Sequence, residues 1–344
     1  MKRPDVSHVL VVRLSDVAKA AMCVHALRGL SRDYPSLQIT VLTTSNLRPI
    51  FRGVAGVEFL LADAPRYKGL FGEVRLRADI RRLGINAIAD LEHSARSRRL
   101  RFSLTPWRRR VSVIERGRIE RKLLTRKFRK VMVQLSPLAQ RSRDVFERLG
   151  LPFCMPAPVR KRRPTTPPHI ATILAGEKRG KWIGVALLSH HKGNCYPLPQ
   201  AAELIKQLAA RYEKVFVFGD GVYQRQFCEG METLHPGVVS VADRATLEQQ
   251  MELISTLDAV VTVDHPVLSI ASLVGTPAIS IWGATHPFIE SCGYGQDPNN
   301  AVQLELPCRP CSADGRRPCL FGHYECMTRI APEKVLSKIL KVVK

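Results

Sequence analysis

The sequence lacks any long apolar run. None of its 344 residues belongs to a stretch of the roughly 20 apolar residues that a membrane-spanning helix requires. The early run 9–12 is too short for a signal-peptide core, and Arg13 and Asp16 follow it at once. We therefore expect a cytoplasmic protein whose only membrane contact is peripheral, from the inner face.

Acidic residues are also scarce. Lys and Arg number 53 against 30 Asp and Glu, which gives a net charge of +23. Residues 66–130 alone hold 21 basic and 6 acidic residues, a net charge of +15. Such a stretch indicates an anionic partner, although solvated helix faces are the simpler interpretation. Aromatic residues for base stacking, such as Phe102, Trp107 and Phe128, are few here. A phosphorylated or membrane partner is thus favoured over nucleic acid.

Cysteine is sparse until the C-terminal part of the chain. The total of nine is odd, which argues against a disulfide framework in a reducing compartment. Four of the nine cluster in the pattern Cys308-x2-Cys311-x7-Cys319-x6-Cys326. Thiolates at this spacing suit a tetrahedral structural Zn²⁺ ion. Four free thiols, or a disulfide formed on purification, are the alternatives; each of these interpretations is structural rather than catalytic.

Short apolar runs alternate with helical patterns along the chain. Strands are predicted at 8–13, 37–43, 85–91, 182–188, 215–218, 259–263 and 278–282. Amphipathic or apolar helical segments follow the first, fourth, fifth and sixth of them, and Thr246 with Gln249 predicts a capping box at the start of the helix before strand 259–263. This alternation predicts an α/β protein with parallel sheets. Five prolines between residues 155 and 168 predict a linker, and hence domains at 1–160 and 161–344.

Two turns that follow predicted strands carry candidate binding residues. Ligands of open parallel sheets bind beyond the carboxyl ends of the strands, so a cleft between the two domains is the expected site. Lys192, in the loop after strand 182–188, could neutralise a diphosphate. Asp264, after strand 259–263, could contact a ribose or a cation, or could simply cap the following helix.

Several collinear segments resemble one known family. They are residues 13–15, 90–91, 96–98, 117–120, 191–194, 196–198 and, most extensively, 269–287 (SIASLVGTPAISIWGATHP). Together they run along nearly the whole chain and are similar to glycosyltransferase family 9, the ADP-heptose:lipopolysaccharide heptosyltransferases. The resemblance implies a GT-B fold, in which two Rossmann-like domains with parallel sheets face a central cleft.

The resemblance also implies roles. The N-terminal domain would bind the acceptor through Ser15, Arg96 and Arg98, and the C-terminal domain would bind a nucleotide-sugar. Carried over by position, the donor-binding residues are Lys192, Asp264, Gly275 and Thr285. The implied reaction is an inverting transfer onto the anionic inner core of lipopolysaccharide, at the inner face of the inner membrane. It needs no cofactor, and the chain contains no Asp-x-Asp motif of metal-dependent transferases.

Two departures from the family pattern bear on activity. The family's turn after the first strand reads Ser-x-x-Gly-Asp-Val, with the aspartate as general base. A gapless alignment puts Lys19 at that position, and a protonated lysine cannot accept a proton. Asp16 is then the catalytic candidate if the turn is remodelled. Pro266 and Ser269 depart from the family's phosphate-binding turn. An inactive homologue that binds the glycolipid or a partner protein is the alternative function.

Overall fold

The computed structural model describes residues 6–69, 71–104, 110–159, 174–290 and 293–343. The chain divides into two compact units. Unit 1 comprises Met1–Arg116 and Ser136–Ala157, and unit 2 comprises Gly117–Leu135 and Pro158–Lys344. The predicted boundary after residue 160 lies outside the described residues, and the predicted linker 155–168 is described only to residue 159. Residues 117–135 group with unit 2, which the sequence did not predict.

Unit 1 is built on a five-stranded parallel sheet with the order β3-β2-β1-β4-β5. Its strands are β1 (His8–Val12), β2 (Gln38–Thr43), β3 (Val57–Leu61), β4 (Ala87–Asp90) and β5 (Arg110–Val113), and its helices are α1 (Val17–Asp33), α2 (Arg48–Phe51), α3 (Gly72–Arg82), α4 (Ala95–Leu104) and α6 (Leu138–Arg148). All five residues of β1 are buried, because helices cover both faces of a parallel sheet and the strand is apolar throughout.

Unit 2 contains a six-stranded parallel sheet with the order β11-β10-β9-β6-β7-β8. Its strands are β6 (Trp182–Ala186), β7 (Lys214–Val217), β8 (Val238–Ser240), β9 (Ala259–Thr262), β10 (Ala278–Ile281) and β11 (Ala301–Val302). Its helices are α5 (Arg118–Leu124), α7 (Leu198–Ala209), α8 (Val222–Leu234), α9 (Leu247–Thr256), α10 (Pro266–Val274), α11 (Pro287–Glu290), α12 (Glu325–Thr328) and α13 (Pro332–Val342). The predicted capping box of Thr246 and Gln249 is present at the start of α9.

The α/β prediction is confirmed, and each strand predicted from an apolar run begins and ends within two residues of its expected ends. Strands β3, β5, β8 and β11 were not predicted, because their runs are short or interrupted by charged residues. Within the described ranges no helix is long and apolar enough to cross a membrane.

The strand orders locate the ligand-binding edge of each unit. In unit 1 the strand order reverses between β1 and β4, and in unit 2 it reverses between β6 and β9. Crevices at such switch points, beyond the carboxyl ends of the strands, are where open α/β sheets bind ligands. The loops after these four strands hold Asp16, Glu92, Lys192 and Asp264.

Candidate functional site

In unit 1, the turn after β1 is fixed by a glutamate from the loop after β4. The Glu92 carboxylate accepts hydrogen bonds from the backbone N–H groups of Leu14, at 3.0 Å, and Ser15, at 3.3 Å. It also accepts one from the Ser15 hydroxyl at 2.5 Å. The Arg13 guanidinium lies 3.5 Å from the same carboxylate, and both of these side chains are buried. The predicted acceptor residue Ser15 is therefore held by Glu92, which the sequence did not single out as a site residue.

Asp16 is the N-cap of α1. Its carboxylate accepts a hydrogen bond from the Lys19 backbone N–H at 3.1 Å and forms an ion pair with the Lys19 ammonium. The backbone of Asp16 has a φ of 67°, a left-handed value that non-glycine residues seldom adopt and that is often found at functional sites. The Asp16 side chain is one-third exposed, so part of it faces solvent.

Electrostatics keep Asp16 ionised. Burial raises the pKa of the Asp16 carboxyl. The charge and hydrogen bonds of Lys19, together with the charge of Arg13, lower this pKa by more than burial raises it. The resulting pKa lies below the ordinary value of an aspartate. Asp16 is therefore a carboxylate at neutral pH, the protonation state that a general base requires.

The two predicted acceptor arginines lie on α4. Arg96 is fixed: its Nε donates to Glu73 at 2.8 Å, and its Nη2 donates to the Ala62 carbonyl at 3.3 Å. Arg98, in contrast, is exposed. The loop before α4 is ordered by the fully buried Asp90, which accepts from the Ser97 hydroxyl at 2.9 Å and lies 2.8 Å from Arg101.

In unit 2, a buried asparagine joins two of the predicted donor-binding residues. Asn194 Nδ2 donates to Asp264 Oδ2 at 3.1 Å, and Asn194 Oδ1 accepts from the Thr285 hydroxyl at 3.1 Å. The short turn Lys192–Asn194 places Lys192 next to this group. Gly193 fits closely here, because a Cβ atom at this position would lie 2.7 Å from the Ala284 Cβ. The sequence pattern contained Asn194, but its bridging contacts depend on tertiary structure.

Gly275 does not join this group. It ends α10 as its C-cap, with a φ of 81°, whereas Asp264 precedes the first turn of the same helix. Nine helical residues separate the two ends by about 14 Å. The glycine satisfies the left-handed conformation of a helix end, and its role in shaping the donor pocket stays a prediction.

The residue that caps the N-terminus of α10 also differs from the one that the sequence suggested. His265, and not Asp264, is the N-cap: its Nδ1 accepts a hydrogen bond from the Val267 N–H at 3.2 Å. Burial lowers the pKa of His265 to about 4, with the charge of His190 acting in the same direction and that of Asp220 opposing it. His265 is thus neutral at pH 7, which leaves Nδ1 free to accept.

We expect His265→Ala to lower the free energy of unfolding by about 1 kcal/mol at pH 7, since the helix loses its cap. The pKa of His265 is lower in the folded state than in the unfolded state. The stabilisation that the neutral imidazole gives the folded protein is therefore complete above pH 6.5 and declines as the pH falls toward 4. The cost of the substitution should therefore shrink at pH 5. Urea denaturation, followed by the fluorescence of the buried Trp182 and Trp282, measures it.

Thr246→Ala is the matched control, because Thr246 caps α9 with a hydroxyl that does not titrate. It should cost a similar free energy at pH 7 and pH 5. An equal cost of His265→Ala at both pH values would contradict the role of a neutral histidine.

A cavity of about 640 Å³ opens beside Lys192, within the size range of ligand pockets. Its walls come from the loops after β6 and β7 and from residues 322–328, and include Ser189, His190, Asp220, Tyr223 and Tyr324. His190 Nε2 lies 3.1 Å from Asp220 Oδ1, and the Lys192 ammonium lies 4.9 Å from the centre of the Tyr324 ring. The cavity thus combines aromatic walls with an exposed cation.

The buried guanidinium of Arg309 supports the turn that carries Thr285. Arg309 Nη2 donates to the Thr285 carbonyl at 3.1 Å, and Arg309 is 5% exposed. Its charge also adds to burial in lowering the pKa of the neighbouring His286 to about 4. Sequence reasoning missed Arg309, because its role depends on carbonyl groups about 25 residues away.

The four C-terminal cysteines line one small cavity of about 20 Å³, together with Tyr324 and Glu325. All four are free. Burial raises the pKa of the Cys326 thiol to about 11, and it also raises that of Cys311. In the described part of the chain, however, no group of three or more His, Cys, Asp or Glu residues is placed so as to hold a metal ion. The four thiols thus surround one cavity, the structural zinc site stays a prediction, and four free thiols remain its alternative.

Comparison with known proteins decides the family. The model of glycosyltransferase family 9 (heptosyltransferase) matches residues 87–324. The chain belongs to this family. A lipooligosaccharide heptosyltransferase 2 of Campylobacter jejuni is 23% identical over 133 residues, and a second from another strain is 22% identical over 134. Each alignment covers 38% of this chain and 41% of the relative's length.

Solved structures show the same fold as this member of family 9. A family 9 glycosyltransferase from Veillonella parvula has a TM-score of 0.74 at 14% identity, covering 99% of this chain and 98% of that one. An ADP-heptose lipopolysaccharide heptosyltransferase II from Escherichia coli has a TM-score of 0.71 at 17% identity, covering 98% of each chain. The GT-B fold class is thereby confirmed.

Proposed function

We propose that this chain transfers a heptose from an ADP-heptose-like nucleotide-diphosphate donor to the anionic inner core of lipopolysaccharide, with inversion at the anomeric carbon. Membership of glycosyltransferase family 9 supports the reaction class, and relatives are heptosyltransferases by name. In this proposal unit 1 binds the acceptor, as expected for domain 1–160. Unit 2 binds the donor, as expected for domain 161–344.

The observation that carries the proposal is the position of Asp16. It directly precedes Val17, the first residue of α1, and it follows β1 at the switch point of the unit 1 sheet. Asp16-Val17 thus corresponds to the Asp-Val of the family pattern if the turn is shorter than a gapless alignment assumes. On this basis Asp16, rather than Lys19, takes the place of the general base.

The proposed step needs one base and one leaving group. An Asp16 oxygen accepts the proton of the acceptor hydroxyl, while the hydroxyl oxygen attacks the anomeric carbon of the sugar. The bond from that carbon to the diphosphate oxygen breaks, and the nucleoside diphosphate leaves with the electron pair. The configuration inverts because attack and departure occur on opposite faces.

Donor binding is proposed for the group around Lys192. Its ammonium would offset the charge of the diphosphate as the leaving group departs. Asn194 keeps Asp264 and Thr285 in fixed positions close by, and the 640 Å³ cavity is large enough for a nucleotide. No metal ion is required in this proposal, since a lysine supplies the positive charge.

Acceptor binding is proposed for Ser15, Arg96 and Arg98. An acceptor rich in carboxylates and phosphates is complementary to residues 66–116 of unit 1, which hold 14 basic and 5 acidic residues, a net charge of +9. Because that acceptor is a glycolipid, we further propose that the protein works in the cytoplasm and touches the inner membrane peripherally.

One observation favours a second candidate, an inactive homologue that binds the glycolipid or a partner protein. The Asp16 carboxylate forms an ion pair with Lys19, which lowers its affinity for a proton and so makes it a weaker base. The discriminating experiment is release of nucleoside diphosphate from ADP-heptose in the presence of a soluble, delipidated inner-core oligosaccharide. Acceptor-dependent release supports the transferase. Measurable acceptor binding without any release would overturn it in favour of the inactive homologue.

Lys19 should set the acidic limb of the pH–rate profile. Activity is lost as the pH falls through the pKa of Asp16, and Lys19 lowers that pKa. In Lys19→Met the carboxyl is protonated more easily, so the acidic limb should move to higher pH while the rate at pH 8 persists. The profile of kcat/KM between pH 4 and 8 measures this shift. Loss of all activity in Lys19→Met would contradict this auxiliary role.

A further inference from the structure

The segment that follows α5 exposes an unusual number of apolar side chains. Phe128 is 73% exposed, Val131 41%, Met132 46% and Val133 60%. Four large apolar side chains thus face solvent within six residues, and Ile119 on α5 is 74% exposed. We call residues 126–133 the basic–apolar loop. Exposed apolar residues that cluster in this way mark an interaction surface, whereas scattered ones do not.

The loop is held from both ends. Leu124 before it and Leu135 after it are buried and pack with Ile289 in one apolar cluster. The Leu135 N–H donates to the Phe288 carbonyl at 2.8 Å. With its two ends fixed, the loop cannot bury its apolar side chains by folding back without losing these contacts.

Lys130 fixes the middle of the loop. Its ammonium points inward and donates to the carbonyl oxygens of Cys308, at 2.8 Å, and Pro310, at 2.5 Å. The Val131 N–H also donates to the Leu123 carbonyl, at 3.3 Å. The side chains on either side of Lys130 are therefore displayed to solvent from an ordered backbone. This pre-organisation lowers the entropy that a binding partner would have to remove.

The charge of this surface is strongly positive. Residues 118–133 contain seven Lys and Arg residues and a single acidic residue, Glu120. Arg126, Lys127 and Arg129 alternate with or flank the exposed Phe128, and all three are exposed. The Lys127 ammonium lies 5.3 Å from the centre of the Phe128 ring. The cationic groups and the apolar groups thus occupy one short loop.

We propose that the basic–apolar loop docks on an anionic phospholipid bilayer, with Phe128, Val131, Met132 and Val133 entering the interface and the flanking basic side chains meeting lipid phosphates. Aliphatic side chains fit the boundary between headgroups and acyl chains. Basic residues next to a membrane gain from its negative surface potential. A nucleic acid would instead call for several stacking aromatics, and this loop has one. The inference deepens the proposed function, since it names the surface that brings the protein to a membrane-bound acceptor.

The test is sedimentation of the full chain with vesicles, without donor or acceptor. One set contains phosphatidylglycerol and phosphatidylethanolamine, and the other contains phosphatidylcholine alone. We expect binding to the anionic set, weakened by high salt because the attraction is screened. Phe128→Ser with Met132→Ser should reduce the partition coefficient about tenfold. Arg126→Gln with Lys127→Gln and Arg129→Gln should reduce it by a factor of ~10 or more.

Matched controls come from exposed residues elsewhere in unit 2. Leu234→Ser removes an apolar side chain that is 70% exposed on α8, and Lys206→Gln removes an exposed charge on α7. Both should sediment like the unsubstituted protein. Unchanged sedimentation of the loop variants, or no binding of the full chain to anionic vesicles, would overturn the proposal. Binding of another protein through the loop, without vesicle binding, would also overturn it.

Activity on the soluble, delipidated oligosaccharide separates this inference from the proposed function. If the loop variants lose vesicle binding but keep the soluble reaction and the melting temperature, the loop is a membrane-docking surface and the variants are folded. If the full chain binds vesicles through the loop but never turns over, the docking inference stands while the transferase proposal fails.

Discussion

Asp16→Asn should reduce turnover by about 10²- to 10⁴-fold, the usual contribution of a general base. Asparagine has nearly the same size as aspartate and is equally good as an N-cap, so α1 should remain intact. It also tolerates the positive φ of 67° that residue 16 adopts. The substitution therefore removes the proton acceptor and the exposed ion pair with Lys19, and keeps the helix cap. Steady-state release of nucleoside diphosphate measures the loss, and donor affinity should not change.

The control is another aspartate that caps a short helix with its carboxylate. Asp297 accepts a hydrogen bond from the Asn299 N–H at 2.9 Å at the start of the turn Pro298–Asn300. Asp297→Asn should leave the rate unchanged. An unaffected rate in Asp16→Asn would show that another group accepts the proton.

Lys192→Met should weaken binding of a nucleoside diphosphate by a factor of about 10 to 100. A hydrogen bond to a charged group contributes roughly 1.5–3 kcal/mol, which converts to this range. Methionine keeps the length of the side chain and its packing against Tyr324 but removes the charge. The effect should be larger for ADP than for AMP, because ADP carries the second phosphate. Titration calorimetry with both nucleotides measures the difference.

Lys206→Met serves as the matched control, since Lys206 is an exposed lysine on α7 that pairs with Glu203 at 3.9 Å on the same helix. Its affinity for ADP should equal that of the unsubstituted protein. Equal losses for ADP and AMP in Lys192→Met would argue against a contact with the diphosphate.

The candidate site in unit 1 shows how far sequence reasoning reaches. The strand 8–13 and the helix from Val17 were predicted from apolar runs, so the turn between them was bounded correctly. Within the turn, a gapless alignment puts Lys19 at the family's aspartate position, and the catalytic role of Asp16 stays a prediction. The structure adds that the Asp16 carboxylate caps α1 by accepting a hydrogen bond from the Lys19 N–H, a contact that a period of 3.6 residues cannot reveal. Glu92 was missed because 76 residues separate it from Asp16.

In unit 2 the outcome is mixed. Lys192, Asp264 and Thr285 lie close to Asn194, either in the same turn or bonded to it. Gly275 lies at the far end of α10, and the cap that the sequence left open for Asp264 belongs to His265. The four cysteines share a cavity but do not form a metal-binding group among the described residues. Their spacing is compatible with zinc, and the zinc site stays a prediction.

The sequence by itself determined the α/β class, the family, and the concentration of charge in residues 66–130. These properties follow from the alternation of apolar runs, from the motifs along the chain and from composition, all of which can be read without a structure. Tertiary structure alone decided that Glu92 holds the turn after β1, which side chains surround Asn194, and that residues 117–135 group with unit 2. It also decided that the basic–apolar loop remains exposed. The physical reason is that such features depend on contacts between residues distant in sequence, whereas periodicity and composition report only local preference.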